Sequence, residues 1–287
     1  MQSQQTLKAK PKNMFNFNNL KTDLYIKLLR QGFYSRRNKA TEIELEQVIR
    51  LFQPMAIPID LIRVGSRNDG GYLIPNDLKG IKACFSAGVA NNSDFEYQLA
   101  EQDIICFLAD ASVDNPCTQH NNFNFTKNYI KAIGSQGSIT LDDWINKAIA
   151  STPLPLSDYI LSMDIEGDEL EVLLTTPNRV ISKFRIITLE LHGLERMLHR
   201  SFLELYHALI CKLSESFIVC HIHPNNSCPI VKAGEIIIPG TIEITLLNRN
   251  RILTATNSRP AVLPHALDSP NNPQKNDIFF SDHWTRK

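Results

Sequence analysis

The sequence has no apolar run approaching the ~20 residues that a membrane-spanning helix requires. Its opening residues, MQSQQTLKAK, hold no apolar core of the signal-peptide kind. Charge of one sign is not in excess either, since 30 Lys and Arg balance 30 Asp and Glu. A chain that neutralises nucleic-acid phosphates carries a basic surplus, so no nucleic-acid partner is expected. Cys-x-x-Cys pairs are absent. The six cysteines are Cys84, Cys106, Cys117, Cys211, Cys220 and Cys228, and three of them sit in the apolar runs ACFSAG, IICFLA and FIVCHI. A thiol in such a run behaves as a small buried hydrophobe. Reduced thiols and a cytoplasmic location are the expectation, and a zinc site joining Cys228 to nearby histidines has little behind it. There is no internal repeat and no three-glycine dinucleotide fingerprint, which speaks against a dehydrogenase.

What is present fits one globular domain with appended ends: 287 residues, 43% of them hydrophobic. Residues 1–40 carry Lys8, Lys10, Lys12, Lys21, Lys27, Arg30, Arg36, Arg37 and Lys39 against Asp23 alone. Such an arm is a solvated basic face or a peripheral contact with anionic lipid or glycolipid. Leu20, Leu24, Leu28 and Phe33 recur near helical spacing over 20–34. Thr41 and Glu44 form a capping-box pattern for a helix over 41–54, with Ile43, Val48, Leu51 and Phe52 as its apolar stripe. Residues 1–55 therefore read as an arm with a helical extension and 56–255 as the main domain. Residues 256–287, rich in Pro, Asn and Asp, read as an irregular tail.

From residue 60 short apolar runs alternate with helical stretches. Strands are expected near 60–64, 71–74, 82–87, 104–109, 159–164, 185–192, 217–223 and 241–248. Helices are expected near 93–101, 141–149, 168–174 and 201–214. Strands separated by helices imply an α/β chain with a doubly wound, mostly parallel sheet. The turn residues Pro239-Gly240 before the last strand imply an antiparallel terminal hairpin.

Ligands of such sheets bind at the carboxyl ends of the strands. The first central strand ends at Ser86-Ala87-Gly88, where a glycine admits a ligand close to the backbone. The second ends at Asp110, ~22 residues after Gly88, a distance at which an acidic residue commonly meets a ribose. The third ends in Asp164-Ile165-Glu166-Gly167, and the fourth in Glu190-Leu191-His192. Alternate residues of an extended strand project to one face, so Asp164 with Glu166, and Glu190 with His192, form two polar pairs at strand ends. These side chains suit a general base with its orienting carboxylate, or a divalent cation. Arg63, Gly65 and Asp69-Gly70-Gly71-Tyr72 read as a hairpin, or as a clamp for the charged end of an amino-acid-like ligand. His221 and His223 share one strand face and line either a substrate site or an edge strand.

The series RVGSRNDGGYLIP, FSAGVANNSDFE, SITLDDWI, LSMDIEGDELEVL, ITLELHGL and GTIEITLLNR resembles the FkbM-type methyltransferases over roughly residues 60–250. The resemblance implies a Rossmann-like class I methyltransferase fold and S-adenosylmethionine as methyl donor. It further implies a hydroxyl acceptor on a carbohydrate or glycosylated product. By position it implies that Ser86, Ala87 and Gly88 face the methionine part of the donor, and that Asp110 holds the ribose. Ser138 and Ile139, after Gly137, would lie near the adenine, with Asp142 opening the next helix. Asp164 would stand between donor and acceptor, and Glu190 and His192 would face the acceptor. One glycine stands in the loop after the first central strand where related loops carry two or three.

On this reading His192 takes the hydroxyl proton while Asp164 or Glu166 orients it. The alternatives are a transferase assisted by Mg or Mn bound to Asp164, Glu190 and His192, and a nucleoside-binding domain without turnover.

Overall fold

The computed structural model describes residues 38–155, 157–252 and 259–285. The helix expected over 20–34 and nearly all of the basic arm lie outside the described residues.

The strongly apolar runs become the strands of a seven-stranded sheet, together with one short run that spacing did not reveal. These are β3 (Ala83–Ala87), β4 (Ile105–Ala109), β5 (Phe123–Thr126), β8 (Tyr159–Met163), β9 (Phe184–His192), β10 (Phe217–Pro224) and β13 (Thr241–Asn248). Their spatial order is β10-β13-β9-β8-β3-β4-β5. Only β13 runs antiparallel, to β9 on one side and β10 on the other; the other neighbouring pairs are parallel. The chain winds outward from β3 through β4 to β5, then returns to β8 on the other side of β3. The strand order thus reverses between β3 and β8, which is where sheets of this kind bind ligands.

Alternation within β3 builds two cores. Phe85 and Ala87 face one hydrophobic cluster and Cys84 the other. The first is covered by helices α1 (Glu42–Ile49), α3 (Leu141–Ser151), α4 (Glu169–Thr175) and α6 (Arg200–Ser214); between α4 and α6 lies the short α5 (Asn178–Ile181). In α3, Thr140 caps the N-terminus by accepting from Asp143 N, and Leu141, Trp144, Ile145 and Ala148 form the buried stripe. Trp144 meets Phe85 edge-on at 5.4 Å between ring centroids. The second core is covered by α2 (Asp94–Ala100) and by the antiparallel pair β1 (Leu61–Gly65) and β2 (Gly71–Pro75). β2 is buried along its whole length. Its turn requires glycine: a Cβ on Gly71 would meet Ser66 O at 1.9 Å.

Three sequence expectations change. The Thr41–Glu44 capping box is present, but the helix ends at Ile49 and a 3₁₀ turn follows over Arg50–Phe52. The period tightens there, so the buried stripe is Leu45, Val48, Ile49 and Phe52, while Ile43 and Leu51 are exposed. The strand before Gly240 does not form a hairpin with β13. Instead β12 (Ile236–Pro239) pairs with β11 (Ile230–Ala233), and β13 inserts between β9 and β10. The Phe123–Thr126 strand carries no strand signal in sequence, because FNFT is short and half polar; it forms the sheet edge beyond β4.

The described part of the tail, residues 259–285, is irregular apart from a 3₁₀ turn at Asp282–Trp284, and it is packed. Trp284 is fully buried against Phe280 and Phe52, and its Nε1 donates to Ile237 O at 2.8 Å. Asn226 Nδ2 donates to Asn272 O, and His221 pairs with Asp268 at 2.9 Å. All six cysteines are free. No helix among the described residues is long and apolar enough to cross a membrane.

Trp284→Ala removes the largest anchor of the tail. Unfolding in denaturant should show a loss of about 3–5 kcal/mol; a loss below about 1 kcal/mol would mean that the tail is not part of the folded unit.

Candidate functional site

The carboxyl ends of β3, β4 and β8 surround a cavity of about 450 Å³, within the size range of small-molecule sites. Gly88, Asp110, Ser112, Asp164 and Glu166 contribute to its wall, joined by Tyr129, Ile130 and Lys131 from the β6 segment (Tyr129–Ile130). Gly88 has φ +81°, and a Cβ there would sit 1.6 Å from Asp164 O. The turn after β3 and the end of β8 can approach this closely only because the residue is glycine. Gly88 N donates to Ala109 O and Asp164 N to Ala87 O, both at 2.9 Å, so the three strand ends are tied together.

Of the residues expected to meet a cofactor, Gly88, Asp110 and Asp164 line this cavity. Ser86 and Ala87 lie buried behind it, with Ser86 Oγ donating to the buried Glu96 carboxylate at 2.5 Å. Ser138 and Ile139 form β7 (Ser138–Ile139), which pairs in parallel with β6. Ile139 is buried, and it is the β6 residues that reach the cavity. Sequence spacing gave no signal for Tyr129 and Lys131. Lys131 lies over the Tyr129 ring, 5.6 Å from its centroid, and pairs with Asp168.

Asp110 ties the loop after β3 to the loop after β4. Oδ2 accepts from Val89 N and Ala90 N, and Oδ1 from Ser112 N and Oγ. Burial works to raise its pKa, yet these bonds together hold it below the ordinary carboxylate value. Asp110 is therefore charged and shapes the loop that follows Gly88.

Beside the cavity stands a cluster from the ends of β8 and β9. The turn after β8 places Glu166 at φ +57° and Gly167 at φ +106°, both left-handed. That turn is held by Glu169, a fully buried residue in the first turn of α4. Its Oε1 accepts from Ile165 N at 2.8 Å and Gly167 N at 3.2 Å, and Oε2 accepts from Gly167 N at 3.1 Å. The same Oε1 meets His192 Nδ1 at 3.2 Å. Glu169, together with the Glu190 carbonyl oxygen at 3.1 Å from Nδ1, therefore orients the imidazole, a role that spacing assigns to Asp164 or Glu166.

His192 Nε2 faces Asp164 Oδ1 at 3.9 Å, Glu190 Oε2 at 3.9 Å and Glu166 Oε2 at 3.8 Å. Glu166 is mostly solvent-exposed; Glu190 is buried. Asn225 Nδ2 donates to Glu190 Oε2 at 3.1 Å, whereas Glu190 Oε1 and Asp164 Oδ1 are buried atoms with no partner. Burial raises Asp164 to about 7, helped by Glu166 and Glu169 and opposed by His192. Burial and the neighbouring charge of Asp164 raise Glu190 as well. For His192 burial works downward, but the Glu169 bond and the charges of Glu169, Asp164 and Glu190 outweigh it and bring the imidazole to about 9. At neutral pH the ligand-free imidazole is a cation among carboxylates.

The β1–β2 turn lies next to this cluster. Arg63 donates to Ser66 O, Arg67 O and Asn68 O, so it closes its own turn. Asp69 Oδ1 accepts from Asn271 Nδ2 at 3.3 Å, and the same amide donates to Glu243 Oε1 at 2.6 Å. Both histidines of β10, the edge strand, are buried under the tail: His221 on Asp268, and His223 between Glu243 at 3.6 Å and Asp277 at 3.7 Å.

Asp164 and His192 both bind more protons in the folded than in the unfolded chain. Stability should therefore be greatest below pH ~4 as far as Asp164 is concerned, and be lost as pH rises through about 7; the His192 share is lost as pH rises from 6.5 through about 9. In chelator-containing buffer, thermal melts at pH 6 and pH 9 should show this fall, and Asp164→Asn should flatten it. Equal pH dependence in the two proteins would contradict the assignment.

No protein-family model matches the chain, and no curated protein matches it.

Proposed function

We propose that the chain is a methyltransferase of the class I, FkbM-like kind that uses S-adenosylmethionine to methylate a hydroxyl of a carbohydrate or glycosylated acceptor. The observation that carries this reading is one juxtaposition. A cavity of about 450 Å³, lined by Gly88 at the point of strand reversal, abuts the Asp164–Glu190–His192 cluster. Further support comes from the sheet, in which one antiparallel strand, β13, lies among parallel ones, and from the motif resemblance over residues 60–250.

The donor supplies an electrophilic methyl group on a sulfonium. The residues do the rest. Gly88 and the Asp110-braced loop give the donor a rigid wall against the strand ends, and Tyr129 offers a ring face. Holding acceptor oxygen, methyl carbon and sulfur in line supplies much of the rate in a displacement of this type. As the oxygen–carbon bond forms and the carbon–sulfur bond breaks, the hydroxyl proton passes to the Asp164–Glu190–His192 cluster. Glu169 fixes the Nδ1 side of His192, so that Nε2 points into the cluster. A general base works best with a pKa near the working pH, and Asp164 at about 7 meets that condition.

Calorimetry with S-adenosylmethionine tests the reading. The wild-type chain should bind it, and Asp110→Ala should bind it at least about tenfold more weakly, because the loop after Gly88 loses its brace. His192→Ala should bind it normally and lose roughly 10²-fold or more in methyl transfer to a glycan acceptor. Absence of donor binding by the wild-type chain would overturn the proposal.

A further inference from the structure

Two buried oxygens next to His192, Asp164 Oδ1 and Glu190 Oε1, have no hydrogen-bond partner. Glu190 has a side chain 4% exposed, and it lies between Asp164 and Glu243 in a row of carboxylates. A buried carboxylate ordinarily has its lone pairs satisfied, yet Glu190 has a single neutral donor, the Asn225 amide, on Oε2. The imidazole does not serve as the missing partner: its Nε2 stays 3.9 Å from both Asp164 and Glu190, outside hydrogen-bond reach.

We propose that Asp164, Glu190 and His192 hold a divalent cation of the Mn(II) or Mg(II) kind, resting on the methyltransferase reading for its role but not for its existence. One ligand atom from each of the three lies within 4.8 Å of the others, and they form the one such group among the described residues. Metal–ligand bonds of about 2.0–2.2 Å place ligand atoms roughly 3–4 Å apart, so small side-chain rotations close the site. Two carboxylates with one imidazole suit Mn(II) best, since carboxylates favour hard ions and the nitrogen tolerates a softer one.

The surroundings of the three side chains are built as a metal's supporting shell is built. A metal-bound histidine typically has its other ring nitrogen held by a carboxylate or carbonyl. His192 Nδ1 is held by Glu169 Oε1, which is itself anchored by two backbone amides. Glu190 is steadied by Asn225. Glu166, exposed and 3.8 Å from His192 Nε2, stands at the mouth of the group. Three protein ligands leave positions free on a six-coordinate ion, and adjacent free positions match an acceptor with two neighbouring hydroxyls, as on a sugar ring. With the ion bound, the three side chains would be its ligands and not the proton acceptors; a hydroxyl on the ion would be more acidic, and its proton would leave to the exposed Glu166 carboxylate or to solvent at the mouth.

The test is metal binding itself, on the full chain after chelation and dialysis. Mn(II) titration, followed by loss of the free-ion paramagnetic resonance signal, should show one ion bound per chain. Glu190→Gln and Asp164→Asn should each weaken it at least tenfold. Glu169→Gln, which touches the ion only through His192, should weaken it by roughly 10-fold or more, with secondary structure unchanged by circular dichroism. A wild-type chain that takes up no Mn(II) at millimolar concentration overturns the proposal, as does uptake that none of the three variants changes. Mn(II) binding without donor binding would leave the cation site standing and remove the methyltransferase reading. Donor binding and turnover without Mn(II) binding would do the reverse.

Discussion

A single buried carboxylate organises the candidate site. Glu169 accepts hydrogen bonds from Ile165 N and Gly167 N and meets His192 Nδ1. It thereby fixes a turn with two consecutive left-handed residues, and it joins the end of β8 to the end of β9. A carboxylate with no exposure is tolerated only when its oxygens are bonded, and Glu169 meets that condition by using the amides of the loop it shapes. The loop and the carboxylate are mutually dependent: without the turn the carboxylate is buried without donors, and without the carboxylate the amides are orphaned. Asp164 and His192 take their positions from that arrangement. Gly88 supplies the complementary constraint from the other side, since any Cβ there would collide with the Asp164 carbonyl.

The electrostatic cost of the site is concentrated, and other parts of the fold offset it. Asp164, Glu166, Glu169 and Glu190 crowd one imidazole, and burial raises the first and last of them above ordinary carboxylate values. Buried charge of this kind destabilises a fold unless the surroundings are over-determined. Here they are. β8 is buried along its length, Phe85 packs against Phe107, Trp144, Tyr159 and Phe184, and the strand ends are cross-tied by backbone bonds. Destabilising charge held in place by a rigid frame is the usual signature of a site kept for function rather than for stability.

How much of this was legible in the sequence depended on the range of the interaction. The ExH pair was legible because Glu190 and His192 lie within the extended strand β9, but the DxE pair does not share an extended strand: β8 ends at Met163 and Glu166 sits in a left-handed turn, and it is Asp164 that the structure brings together with Glu190 and His192. Glu169 had no signal of its own, because an acidic residue in the first turn of a helix is common; its backward reach depends on the left-handed turn at Glu166 and Gly167. The four donors that occupy Asp110 come from two loops, Val89 and Ala90 after β3 and Ser112 after β4, and leave no trace in residue spacing. Tyr129 and Lys131 were hidden because β6 is two residues long, too short for any period to register. The exposure of Ile43 and Leu51 arises from a change of helical type after Ile49, which apolar spacing does not encode.

The chain's far end enters the same arrangement. β13 brings Glu243 into register with Glu190 on one side and His223 on the other, so a polar row crosses three strands beneath the site. Asn271, from the irregular tail, donates to both Glu243 and Asp69 with one amide nitrogen. It therefore links the β1–β2 turn, the antiparallel strand and the tail over that row. A largely irregular segment can hold so defined a position because Trp284 anchors it on one side and the Asn226 and His221 contacts on the other. This side of the cluster is thus bounded by three segments far apart in sequence. Such a boundary can change without disturbing the sheet, whereas the Gly88 and Glu169 constraints cannot.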